Sequence, residues 1–336
     1  MPVSLPTEIF LMIIKDVSSP HDLLHLRPIN KVFCAAATPR AFRIVGATNR
    51  RDSALGLASL LQSDVVCHVR EVVYLDDAAD EKGNKVDTAD RAHSTPSDVG
   101  YGLAVEEPLV EAFSLAASVP GITTLRFIFP PVFSLDDPDP DFDHLNSNVY
   151  APLHLQHAIL NTIGGAAPHL RVLTLTNVAP VEHELYQSPA LHRTLSSLTH
   201  LRFSIAFQPP SQLAMPRMRR TSLNFWRSIN QHVLRNLVDV VSLAVLSDQK
   251  ILHLQFAFDT TYHRLKYLTL RNVAMIGTGG ETGEDRFVRL HGETLEWIDT
   301  KYRGGGNVRW VRHTHADPQD ESEYEIPPSM AQASGS

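Results

Sequence analysis

The pattern of apolar positions changes character near residue 45. Before it, Ile9, Met12, Ile13 and Val17 recur at helical spacing around Lys15 and Asp16, which predicts a helix from about Pro6 to Val17. Ser18-Ser19-Pro20-His21-Asp22 interrupts that period, and Ser19 or Asp22 is placed to cap a second helix carrying Leu23, Leu24 and Leu26. Pro28 lacks a backbone donor and is expected to kink or divide that helix. A third segment, from Asn30 to about Ala37, presents Val32, Phe33 and Ala36 before Thr38-Pro39. Three short helices bury little surface by themselves, so this unit is expected to lean on the following domain or on a partner.

After residue 45 the chain turns to short strand-like pieces with a shared spacing. An apolar residue is followed by a second three positions on and a third two positions later: Val69/Val72/Tyr74, Ile122/Leu125/Phe127, Leu170/Leu173/Leu175, Leu198/Leu201/Phe203, Val240/Leu243/Val245 and Leu265/Leu268/Leu270, with Leu295/Ile298 as a partial seventh. The middle residues 125, 173, 201, 243 and 268 are 48, 28, 42 and 25 positions apart. The shorter gaps match the repeat unit of about 20 to 29 residues of a leucine-rich repeat, and the longer ones leave room for insertions. Helical patterns lie between several strands: Leu109, Phe113, Ala116 and Ala117; Leu153, Leu155, Ala158, Ile159 and Ile163; Trp226, Ile229, Val233, Leu234 and Leu237. A helix followed by a short strand, repeated, predicts an α/β fold: an irregular leucine-rich-repeat-like solenoid with a parallel sheet. An ordinary α/β sheet with leucine-rich buried strands is the alternative.

The expected organisation is a helical module over 1–45, a repeat-like domain over 46–315 with an exposed insertion near 76–100, and an acidic, disordered tail over 316–336. Composition supports a globular chain, since 43% of its 336 residues are hydrophobic and 20% charged. The formal charge of −7 gives no general attraction to a phosphate backbone, so nucleic acid is not expected as a partner. The two cysteines, Cys34 and Cys67, do not form a disulfide framework or a Cys/His metal pattern, and a reducing compartment is the natural reading. No run of eighteen apolar residues occurs, and the N-terminus has no basic segment before its apolar stretch. The expected location is cytoplasmic or nuclear, without membrane contact.

The first forty residues resemble an F-box, the adaptor module that docks on the small linker subunit of cullin-RING ubiquitin ligases. The match runs through Leu5-Pro6-Thr7-Glu8-Ile9, Ile13-Ile14, Pro20-His21-Asp22-Leu23-Leu24, Leu26, Ile29 and Asn30-Lys31-Val32-Phe33. Pro28 departs from the usual aliphatic slot, and Phe33 stands where many members carry tryptophan. The pieces Leu265–Leu270 and Phe287–Ile298 are similar to the repeats of fungal F-box proteins. The resemblance implies a non-enzymatic substrate adaptor of an SCF-type ubiquitin ligase, with an unidentified protein substrate recruited by the repeat domain. Leu5, Pro6, Ile9, Ile13, Leu23, Leu24, Leu26, Ile29 and Phe33 would then dock on the linker subunit. A repeat scaffold uncoupled from a ligase, its N-terminal helices serving as a cap, is the alternative. A hydrolase on an α/β sheet is a more distant one.

No enzyme or cofactor motif is present: GxSxG, GxxxxGK[ST], HExxH and a GxGxxG after a strand are all missing. Gly304-Gly305-Gly306 reads as a flexible turn, and Asp136–Asp143 as a solvated loop without the spacing or glycine of a calcium loop. His313 and His315 lack further zinc ligands nearby, and His291 reads as a structural residue between helix and strand. Arg217, Arg219 and Arg220 form the densest basic cluster, a candidate contact for an acidic or phosphorylated substrate segment.

Overall fold

The computed structural model describes residues 6–76, 103–130, 151–166, 168–206, 224–247, 260–273, 275, 282–302 and 305–310. Three helices open the chain: α1 (Thr7–Asp16), α2 (Pro20–Leu26) and α3 (Lys31–Ala41). Their boundaries follow local chemistry. Ser19 caps α2 by accepting from Asp22 N at 3.3 Å, and Asn30 caps α3 by accepting from Phe33 N at 2.9 Å. Pro28 lies in the turn between α2 and α3, so it divides the two helices as its missing donor requires. α3 runs past its expected end, through Pro39 to Ala41, and Thr38 Oγ1 donates back to Cys34 O at 2.6 Å in that stretch. Arg40 ties α3 to the end of α1, donating to the carbonyls of Ile14 and Val17. Both carbonyls lie at the end of α1, where the helix leaves acceptors over and favours a cation, and Ile14 O accepts from Val17 N at 3.3 Å as well.

A sheet follows: β1 (Ile44–Thr48), α4 (Arg51–Leu61), β2 (Glu71–Leu75), α5 (Leu103–Ser118), β3 (Thr124–Ile128), α6 (Ala151–Thr162), β4 (Val172–Val178), α7 (Pro189–Ser196) and β5 (His200–Ile205). Next come α8, an irregular helical segment over 224–236, then β6 (Ser242–Ser247), β7 (Tyr267–Arg271), α9 (Gly283–His291), β8 (Trp297–Tyr302) and β9 (Gly305–Trp310). The strands lie side by side in chain order. β1 to β8 are parallel throughout, and β9 pairs antiparallel with β8. The fold is thus α/β with one large parallel sheet.

The spacing found in the sequence becomes a set of columns across the sheet. Val72, Leu125, Leu173, Leu201, Leu243, Leu268 and Ile298 are in register from β2 to β8, each 2% exposed or less. Two positions on, Tyr74, Phe127, Leu175, Phe203, Val245 and Leu270 form a second column on the same face, as strand alternation demands. The leading residues from Val69 to Leu265 and Leu295 are buried at the corner before each strand. At each corner one carbonyl accepts two N–H groups from the next strand's approach, as Arg70 O does from Thr123 and Thr124. Arg171 O does so from Thr199 and His200, and Lys266 O from Glu296 and Trp297. Thr124, Thr174, Arg202 and Thr269 alternate onto the opposite, more exposed face.

Two strand ends share an asparagine device. In Leu173-Thr-Leu-Thr-Asn177 and Leu268-Thr-Leu-Arg-Asn272 the asparagine adopts a left-handed backbone, with φ of 59° and 58°. Each side-chain amide donates to a carbonyl on the preceding side: Asn177 to Phe129 O at 2.9 Å and Asn272 to Ser247 O at 2.7 Å.

Some expectations need correction. β1, Ile-Val-Gly-Ala-Thr, is a strand that lacks the leucine spacing, and α4 follows it. Of the glycine run expected as a turn, Gly304 lies outside the described residues, while Gly305 and Gly306 begin β9 and pair with Tyr302 and Lys301. Asp76 does not belong to an exposed insertion. It is fully buried, donates its N–H to Ile128 O at 3.0 Å, and its carboxylate accepts from Tyr74 and Asn49. Residues 77–100, Asp136–Asp143, His313, His315 and the 316–336 tail lie outside the described residues. Both cysteines are free thiols, and no helix among the described residues is long and apolar enough to cross a membrane.

Candidate docking surface and a histidine-lined cavity

The helical unit has its own small core, in which Ile14, Leu23, Phe33, Ala37 and Ala41 are buried with Phe10, Val17 and Leu26 packed on them. Phe10 meets Phe33 edge-on at 4.8 Å, and Phe42 contacts both this core and the larger one under the sheet. α1 and its C-cap therefore turn Phe10, Ile14 and Val17 inward, at positions i, i+4 and i+7. The outward side of α1 carries Ile9, Leu11, Met12 and Ile13, and Met12 is 62% exposed.

This divides the expected docking residues. Pro6, Ile9, Ile13, Leu24 and Ile29 are exposed, and Leu26 is half-buried. Leu23 and Phe33, 2% and 7% exposed, are core residues, because a three-helix unit needs its largest inward side chains to have any interior. Leu11, Met12 and Val32 are exposed apolar residues that the docking set omitted. Seven of the ten large hydrophobic side chains that are exposed among the described residues fall between Ile9 and Val32. This grouping is denser than the scattered single apolar side chains of an ordinary surface. Leu11, Lys31, Val32, Ala35 and Ala36 line a shallow groove between α1 and α3. Leu5 and the cluster Arg217, Arg219 and Arg220 lie outside the described residues.

A second feature sits beside the C-terminal end of β4. His154, His157 and Asn161 of α6 and His183, Glu184, Gln187 and Ser188 of the β4–α7 connection line a cavity of about 590 Å³. His154 Nδ1 lies 2.6 Å from Glu106 Oε2, and His183 Nδ1 accepts from Leu185 N at 3.1 Å, which leaves the ring proton of neutral His183 on Nε2. His157 packs on His183 with ring centres 4.0 Å apart, and neither of its nitrogens has a hydrogen-bond partner. Burial pushes the His157 imidazole down to about 3, helped by His183 and His154. Burial also lowers His183, with Glu184 opposing the shift. Such a weak base is poorly matched to general-base work near neutral pH. Among the described residues, no three His, Cys, Asp or Glu side chains are arranged to hold a metal ion. The parts of this cavity are far apart in sequence, and only the spacing of His154 and His157 on one helix hinted at it.

His291 is held at both nitrogens, Nε2 accepting from Tyr262 N at 3.0 Å and Nδ1 donating to Phe287 O at 2.8 Å. It links the 260–265 segment to α9 and is 2% exposed, as the structural reading expected.

No protein-family model matches the chain, and no curated protein matches it.

Proposed function

We propose that the chain is a substrate-recognition adaptor of an SCF-type ubiquitin ligase: an F-box-like helical module followed by a leucine-rich-repeat-like solenoid. The observation that carries this reading is the concentration of exposed aliphatic and methionine side chains on α1 to α3, above a core too small to enclose them. Its occupant is the ligase linker subunit, met by Ile9, Met12, Ile13, Leu24 and Ile29. The column-by-column register of β2 to β8 supports the repeat reading. The repeat domain holds a protein substrate within reach of an activated ubiquitin, a contribution of proximity while catalysis belongs to other subunits.

The test is calorimetric binding of the full chain to purified linker subunit, beside a variant carrying Ile9→Ala, Met12→Ala and Ile13→Ala that circular dichroism shows to be folded. Binding by the native chain, weakened at least about tenfold in the variant, supports docking. No binding by the folded native chain overturns it. That outcome favours the scaffold reading, in which Phe42, shared by both cores, joins a helical cap to the sheet.

A further inference from the structure

The outward face of α2 carries a pair of histidines with the geometry of a chelate. His21 and His25 are one helical turn apart, so their side chains rise from the same face. Their Nε2 atoms are 3.2 Å apart in a ring-to-ring hydrogen bond and the ring centres are 4.3 Å apart, so the two rings approach through these nitrogens, and an ion would take the place of the proton between them as the donor ring shifts its N–H to Nδ1. Two imidazoles bound to one divalent ion at about 2.0 to 2.1 Å, with an angle of about 90° to 109°, hold their nitrogens about 2.8 to 3.4 Å apart. The observed separation falls inside that interval. The far nitrogen of His21, Nδ1, lies 3.8 Å from Asp22 Oδ1, too far for a hydrogen bond but near enough to add negative charge beside the pair. Solvent reaches the pair freely, the His21 side chain being 70% exposed.

We propose that His21 and His25 form a two-histidine site for a borderline divalent transition metal, of the zinc, nickel or copper class. Imidazole suits these ions, whereas magnesium and calcium require oxygen donors. The protein supplies two ligands, and water or a donor from another molecule completes the coordination. A bound ion bridges Nε2 to Nε2 across one turn of α2. It thereby stabilises a seven-residue helix that is too short to be stable alone. The site rests on α2 alone and is independent of the docking reading.

Zinc titration calorimetry of the untagged full chain tests this, with magnesium as the control ion. Because the chain has 17 histidines, the comparison is with three variants: His21→Gln with His25→Gln, His25→Gln alone, and His263→Gln, at another exposed histidine. One zinc is expected per native chain, weakened at least about tenfold in the first two variants and unchanged in the third, with no response to magnesium. Both α2 positions are exposed, so these variants keep the fold, which circular dichroism checks. Equal zinc binding by the native chain and the double variant overturns the proposal, as does an equal loss in His263→Gln.

Discussion

Met12 and Ile14 are two residues apart in α1 and similar in apolar character, yet the structure assigns them opposite tasks. Successive helical residues turn by about 100°, which puts the two side chains on nearly opposite sides of the helix. Ile14 is 2% exposed and packs with Leu23, Phe33 and Ala37, whereas Met12 faces solvent. Ile14→Ala removes three buried carbons, about 2.4 kcal/mol of transfer free energy at about 0.8 kcal/mol each, and the cavity raises the loss to about 3 to 4 kcal/mol. Met12→Ala should cost about 0.5 kcal/mol or less. The helical unit has its own small core, so hydrogen exchange of the full chain, read on peptides from 6–42, is the suitable assay. Ile14→Ala should lower protection across α1 to α3 by about a hundredfold or more, at about 1.4 kcal/mol per factor of ten. Met12→Ala should leave protection almost unchanged while weakening linker binding. Equal protection in the two variants would refute the inward assignment of Phe10, Ile14 and Val17.

The buried His157, facing His154, His183, Glu184 and, through His154, Glu106, has its pKa depressed in the folded state. Stability from keeping it neutral is complete above its unfolded value of about 6.5 and is lost as pH falls from there toward 3, by up to about 1.4 kcal/mol per pH unit. Melting temperatures between pH 7.5 and 5 should therefore fall less steeply in His157→Phe, and an unchanged slope would contradict this. Arg126 Nε lies 2.7 Å from Glu71 Oε1, both side chains being largely buried. Arg126→Met should cost about 3 kcal/mol or more in denaturant unfolding, and adding Glu71→Gln should recover part of it; simple additivity would disprove the coupling. Asn272→Ala should destabilise by about 1 to 2 kcal/mol through its left-handed backbone and the lost bond to Ser247 O. Asn272→Gly should lose only the bond, so it should melt above the alanine variant.

The strands from β2 to β8, the three N-terminal helices and the break at Pro28 were all legible in the sequence. These rest on local rules: alternation along a strand, a capping side chain, a missing donor. The sequence also shows that His291 is structural, because a polar residue between a helix and a buried strand needs partners. It did not decide which side of α1 faces inward. Ile9-Phe10-Leu11-Met12-Ile13-Ile14 is apolar on every side of a helix, and the choice comes from Phe33, Leu23 and the Arg40 bonds to the end of α1. β1 has no leucine spacing of its own and is a strand because β2 pairs with it. Gly305 and Gly306 have no β preference and are recruited by the edge of β8. The histidine cavity needed the tertiary structure most. Glu106, His154, His157 and His183 come from α5, α6 and the β4–α7 connection, and only stacking the strands in chain order brings them together.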